Sequence, residues 1–160
     1  MKILAIGAHP DDIEIFMYGF LSICKENGHS ISLTIATDGA LGGKINGQKL
    51  AKIRKAESIN ALKKFQKPVF LNIPDALLGE SKKHFRLIRE NIEKNKPQLI
   101  VTHYKKDYHS DHIALSKIVK KIAGHYIPIL FCDTMMGLNF NPDYYFDISK
   151  HFNEKIKSIL

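Results

Sequence analysis

The sequence predicts one α/β domain with a Rossmann-like, three-layer α/β/α architecture and a mostly parallel sheet. Three observations lead there. Strand-like apolar runs alternate with helix-like runs along the chain, and helical crossovers make strands parallel and cover both sheet faces. The 160 residues are 44% hydrophobic and 25% charged, which suits a single core in an ordinary globular protein. Two clusters rich in His and Asp, His9-Pro10-Asp11-Asp12 and His109-Ser110-Asp111-His112, each follow a strand-like run. Parallel sheets bind ligands at the carboxyl ends of their strands.

The elements are read in order. Lys2–Ile6 is a strand, and Ile13–Asn27 is a helix ended by Gly28 as C-cap. Ile31–Ala36 is a strand rich in β-branched residues. Residues 37–47 are polar with four glycines and form a loop. Gln48–Phe65 is a helix, because Leu50, Ile53, Ala61, Leu62 and Phe65 recur near helical spacing between lysines. Pro68–Asn72 is a short strand, and Glu80–Asn95 is a helix stopped by Pro97. Gln98–Thr102 is a strand, Asp111–Ala123 a helix and Ile127–Cys132 a strand. Tyr144–Ile148 is expected as one more strand, with a last helix from Lys150. The whole chain, 1–160, is expected to be one domain.

Composition narrows the function. Lys and Arg number 24 against 16 acidic residues, for a net charge of +8. The lysines fall mainly in helix-like stretches and read as solvated faces. No run of five basic residues occurs, and aromatics do not interleave with basic residues, so no nucleic-acid partner is expected. No apolar run approaches the ~20 residues of a membrane helix. The N-terminus starts with a strand-like run and not a leader, and Cys24 and Cys132 lack metal or redox spacing. A cytoplasmic protein with two small buried thiols is expected.

The clusters carry the chemistry. An Asp at a helix start can be only an N-cap. That accounts for one Asp, but not for Asp11 and Asp12 together beside His9. His109 and His112 are three apart and can face one way over a helical turn. Two imidazoles and one carboxylate leave an open position on a catalytic zinc, which lowers the pKa of water to about 7. A spare carboxylate can move the proton, and a spare histidine can stabilise an oxyanion.

Ala8-His9-Pro10-Asp11-Asp12 paired with His109-x-Asp111-His112 resembles the LmbE-like, or PIG-L, family of zinc-dependent N-deacetylases. Arg54, Glu57 and Ala61 resemble its Arg-x-x-Glu-x-x-x-Ala helix. Thr37-Asp38-Gly39 resembles its Thr-x-Gly loop, and Asp107-Tyr108 the approach to its second cluster. The resemblance implies that His9, Asp12 and His112 ligate Zn2+ or another divalent ion. It implies that Asp11 is the general base and then acid, and that His109 is the imidazolium facing the oxyanion. Asp111 would orient His109 or support the ligands from behind, and Arg54 would bind a sugar or anionic substituent. The substrate would be a small N-acetylated sugar or glycoconjugate. His29, His84, His103, His125 and His151 match no motif position and receive no role; Asp38 is expected to do no more than cap a turn.

The chain departs from the family pattern twice. Phe16-Met17-Tyr18-Gly19 stands where small residues are usual, and the chain ends soon after Phe146-Asp147-Ile148-Ser149. The domain is therefore expected to be short at its C-terminus and its pocket open, with a homo-oligomer as one source of the missing wall. Two rival readings remain: a non-catalytic Rossmann-like module binding a nucleotide or anion at the 39–47 loop, and a family deacylase acting on a non-sugar amide. The loop lacks the G-x-x-x-x-G-K-[ST] and G-x-G-x-x-G spacings.

Overall fold

The computed structural model describes residues 1–138 and 140–160. Five parallel strands form the sheet: β1 (Lys2–Gly7), β2 (Ser30–Thr37), β3 (Val69–Ile73), β4 (Leu99–Thr102) and β5 (Ile129–Phe131). The helices are α1 (Tyr18–Glu26), α2 (Gly47–Ala61), α3 (Lys82–Asn95), α4 (Ser110–Ala123) and α5 (Phe152–Ile159). The strand order is β3-β2-β1-β4-β5. It reverses between β1 and β4, and the crevice at such a reversal is where open α/β sheets bind ligands. The predicted three-layer α/β class is what the chain adopts.

β1 shows why the strands read as continuous apolar runs. Ile3 and Ala5 point to a core layer shared with Tyr18, Leu21, Ile31, Leu33 and Leu62. Leu4 and Ile6 point to the opposite layer, with Ile88, Ile92, Leu115 and Val119. Both faces are covered, so alternation with polar residues is absent. One polar pair crosses the second layer: the Thr34 hydroxyl donates to Asn91 Oδ1 at 2.9 Å. A buried hydroxyl needs that partner.

Element boundaries differ from the sequence reading at several places. The second helix ends at Ala61 instead of Phe65, because the chain turns there to bury Leu62 and Phe65 against Tyr18. β5 is shorter than expected, since Pro128 has no N–H to give the sheet, although its carbonyl accepts from Ile100 N at 3.0 Å. Tyr144–Ile148 is not a strand. Its apolar side chains pack on α1, with Phe146 4.5 Å from Phe20 between ring centres, and no ladder bonds form. The last helix begins at Phe152 after a 3-10 turn, Ser149–His151.

Gly19 explains the one small residue kept in the Phe16–Gly19 stretch. A Cβ there would sit 2.5 Å from Ile148 Cγ2 and 2.8 Å from its Cβ. The C-terminal segment seats on α1 only because Gly19 has no side chain. Gly19→Ala should therefore destabilise the fold by about 1–3 kcal/mol, the usual cost of overpacking. Combining it with Ile148→Ala should cost less than the sum of the two single changes. Thermal denaturation of the four proteins checks this; additive shifts would mean that Ile148 is not what Gly19 accommodates.

Candidate metal centre

The loop after β1 carries the first cluster to the sheet edge. Thr37 N and Oγ1 both donate to Ala8 O at 2.8 Å, and Thr102 Oγ1 donates to Ile6 O at 2.9 Å. The strands on either side thus hold the loop's entry. A π-helical turn, Ile13–Met17, follows before α1; such turns are rare and often mark functional sites. Asp11 has φ of 110°, outside the ordinary regions for a residue with a Cβ.

Asp12 does not act as a helix cap, for its side chain makes no capping bond. Its Oδ2 accepts from His9 N at 2.6 Å and lies 3.0 Å from His103 Nε2. Its Oδ1 lies 3.2 Å from His112 Nε2. Burial would raise this carboxyl, but His103, His112 and His9 together outweigh it and hold it well below the usual carboxylate range.

The second cluster comes from the loop after β4 and the start of α4. His112 Nδ1 lies 3.0 Å from Asp107 Oδ2, which turns Nε2 toward Asp12. Ligating histidines are commonly oriented by such a carboxylate. His9 Nε2 is 3.2 Å from both Asp75 Oδ1 and Asp111 Oδ2. Burial opposes a charge on His9, yet Asp111, Asp12 and Asp75 raise it to about 10. His112 is likewise raised by Asp12 and Asp107 against its burial.

Two of the expected roles meet particular surroundings. Partial burial and then the charges of His9 and His112 lower the pKa of His109, against the pull of Asp111 and Asp12. The Asp111 carboxylate lies 3.2 Å from His9 Nε2 and accepts from Ala76 N and Leu78 N at 2.9 and 3.2 Å, the placement that the expected support of a ligand from behind calls for. His109 accepts from Asp111 N through Nδ1 at 3.3 Å, which leaves its proton on Nε2. Arg54 is mostly enclosed, and both its Nη atoms donate to the chain: Nη1 to Gly39 O at 3.0 Å, Nη2 to Pro10 O at 2.5 Å and Asp11 Oδ2 at 2.8 Å. Asp38 caps its own turn, accepting from Ala40 N, and does more than the sequence reading expected, since the same oxygen also accepts from Asp75 N in the loop after β3.

Three members of the site were not found from sequence. His103 is fully buried and stacks on His112 with ring centres 3.7 Å apart. Asp75 follows a short strand as a lone carboxylate in a loop, and Asp107 was noted only as an approach to His109. Each has an unremarkable neighbourhood in sequence; the one available signal was a position just past a strand's carboxyl end.

A divalent cation suits this donor set. Among the described residues, three sets of ligand atoms each lie within 4.8 Å of one another: His9, His109 and His112; Asp12, His103 and His112; His9, Asp75 and Asp111. His9, Asp12 and His112 are not one of these sets, since Asp12 meets His112 and His9 through opposite oxygens. Imidazoles and carboxylates that converge in a buried crevice need either protons or a metal to balance them. Phe16 closes one side, its ring 6.0 Å from His103 and 6.3 Å from His112. Behind it opens a cavity of about 500 Å3 lined by Phe16, Phe20, Tyr104, Phe131, Phe140 and Phe146. The bulky residue in place of a small one thus shapes the wall of the site, while Tyr18 is buried against Phe65.

The family model for PIG-L, GlcNAc-PI de-N-acetylase, matches residues 4–123, which contain both clusters. The chain belongs to the PIG-L family. The resemblance read from the two motifs is borne out. Among solved structures, the chain is similar to the N,N'-diacetylchitobiose deacetylase of Pyrococcus horikoshii, with 22% identity over 99% of this chain and 68% of that one and a TM-score of 0.83. It is similar to GalB, the 4-carboxy-2-hydroxymuconate hydratase of Pseudomonas putida, at 20% identity over 99% and 77% of the two chains, TM-score 0.84. It is also similar to the zinc-inhibited form of teicoplanin deacetylase Orf2, at 15% identity over 99% and 82%, TM-score 0.79. These are likenesses of PIG-L-type fold, and a hydratase among them shows that the fold carries more than one reaction.

The raised pKa of His9 sets a stability dependence. Its protonated form is favoured by folding, so the contribution is complete below pH 6.5 and is lost as pH rises toward about 10. Metal-free protein should lose stability across that window, by on the order of a few kcal/mol. Urea midpoints of chelator-treated wild type and His9→Gln across the window check this. His9→Gln should flatten the slope; an equal slope in both proteins would assign it to other groups.

Proposed function

We propose that this chain is a metal-dependent N-deacetylase that removes an acetyl group from an N-acetylated sugar or glycoconjugate. The observation that carries the reading is the meeting, at the β1/β4 reversal, of a buried His/Asp cluster with one carboxylate, Asp11, that stands outside it on Arg54. His9, Asp12 and His112, the set the family resemblance implies, would hold the ion, most simply zinc; Asp12 stands between the two imidazoles, 3.4 Å from His9 Nδ1 and 3.2 Å from His112 Nε2. When bound, such an ion acts as a Lewis acid and lowers the pKa of water to about 7.

The remaining steps belong to the chain's own residues. Asp11 takes the proton from the attacking water and returns it to the nitrogen of the departing amine. Partial desolvation and the neighbouring Asp12 charge raise Asp11 to about 6, against the pull of Arg54. A carboxylate near neutral is suited to both transfers. His109 faces the developing oxyanion with its Nε2–H as a neutral donor, because its Nδ1 is occupied by Asp111 N. Asp107 and Asp111 keep His112 and His9 oriented.

The sugar is the substrate class that the family description and the chitobiose deacetylase support. No helix among the described residues is long and apolar enough to cross a membrane. Both cysteines are free, which fits the reducing cytoplasm as the compartment. The anion-binding module is disfavoured, because the Gly39–Gly42 turn encloses the Arg54 side chain and not an open phosphate cradle. A hydratase of the same fold keeps hydration as the rival reaction.

His112→Ala should abolish stoichiometric zinc, measured by metal analysis after dialysis. Full retention would remove His112 from the ligands. Asp11→Asn should keep the metal and lower kcat for acetate release from N-acetylglucosamine conjugates by on the order of a hundred- to ten-thousand-fold. The kcat of wild type should fall on acidification through about pH 6 as Asp11 gains its proton. Zinc-loaded wild type that releases no acetate from any such conjugate would overturn the deacetylase reading.

A further inference from the structure

The Arg54 guanidinium joins two loops beyond the point where the paired strands β1 and β2 end. Through Nη2 it holds Pro10 O and Asp11 Oδ2 in the loop after β1; through Nη1 it holds Gly39 O in the loop after β2. Two features of the loops are built to this contact. At Gly42 a Cβ would lie 2.5 Å from Nη1, and at Gly39 2.6 Å, so the turn is glycine where the guanidinium passes. Asp11 is held at a φ of 110°, a conformation that persists only when its surroundings over-determine it. The contacts available to do so are the Arg54 bonds to Pro10 and Asp11 and the backbone bond from Ile15 N to Asp11 O at 2.9 Å.

We propose that Arg54 is a positioning residue, a clamp on three acceptors that sets the direction of the Asp11 carboxylate, and that the Gly39–Gly42 turn is the sleeve that seats it. This rests on the proposed role of Asp11 as the proton carrier. It replaces direct substrate binding, the role that Arg54's place beside a cavity of about 370 Å3 with Glu57, Asn60 and Lys157 would otherwise suggest. With three of its five N–H donors given to Gly39, Pro10 and Asp11, the guanidinium has two left to offer an incoming anion.

The test is a double-mutant cycle between Arg54→Ala and Gly42→Ala, read by steady-state kinetics on an N-acetylglucosamine conjugate and by thermal denaturation. Gly42 has an ordinary backbone conformation, so its Cβ acts only by displacing the guanidinium. Arg54→Ala should lower kcat on the order of a hundredfold, as a misaimed catalytic group does, with KM nearly unchanged and zinc still stoichiometric. Gly42→Ala should lower kcat in the same way, more weakly. The double variant should be no worse than Arg54→Ala, in kcat and in Tm alike. A rise in KM at constant kcat would overturn the clamp in favour of substrate binding, and additive losses would overturn the sleeve. If even wild type releases no acetate, the deacetylase reading fails while the Tm cycle still decides the clamp: coupled shifts keep it, additive shifts remove it.

Discussion

Charge balance at one buried sheet edge governs the rest of this molecule. The Asp12 carboxylate sits below the surface and meets His9, His103 and His112 from three directions. Asp107, Asp75 and Asp111 then surround those imidazoles from behind. An isolated carboxylate in such a place would take up a proton, and an isolated imidazole would lose one. Here the raised His9 and the lowered Asp12 are two sides of one exchange. A cation entering the cluster would replace protons, not create a new charge, which is why metal binding and folding are coupled at sites of this kind.

That arrangement dictates where the irregular backbone lies. The groups come from the loops after β1, β3 and β4, which must approach closely over the reversal point. Asp111 draws the Ala76–Leu78 turn in through two amides, and Asp75 accepts from Leu41 N at 2.9 Å. Ala76 adopts a positive φ of 64° within that turn, as Asp11 does in its own loop. Such conformations cost of order 1–3 kcal/mol each and gather at sites that need a fixed geometry. The stiff part is the sheet beneath, whose central strand is buried on both faces.

The far wall is built differently. Among its described residues the C-terminal segment makes no strand; it lies on α1 through Phe146 and Ile148 and rims the aromatic cavity beside the His/Asp cluster. Phe16 links that cavity to the cluster by resting its edge against His103 and His112. A small residue at that position would leave the two imidazoles open on this side. The packing of α1 and the shape of the site are therefore set by the same few residues, Phe16 to Gly19.

By itself the sequence determined the fold class, the order of the elements and the two ends of the site. Apolar runs buried on both faces read as parallel strands, and two His/Asp clusters at strand ends read as convergent, because those signals are local and period-based. It also determined the family, since the two motifs lie within the matched residues. Tertiary structure decided which group faces which. His103, Asp75 and Asp107 entered the site through positions that carry no local pattern. The Asp111 carboxylate meets His9, 102 residues away along the chain, and burial followed by the charges of His9 and His112 lowers the pKa of His109. Arg54 gave its hydrogen bonds to two backbone carbonyls and the Asp11 carboxylate because two loops far apart in the chain close around it. Hydrogen bonds and charges act over a few ångströms in space, whatever the separation along the chain, so these assignments exist only once the sheet has brought the loops together.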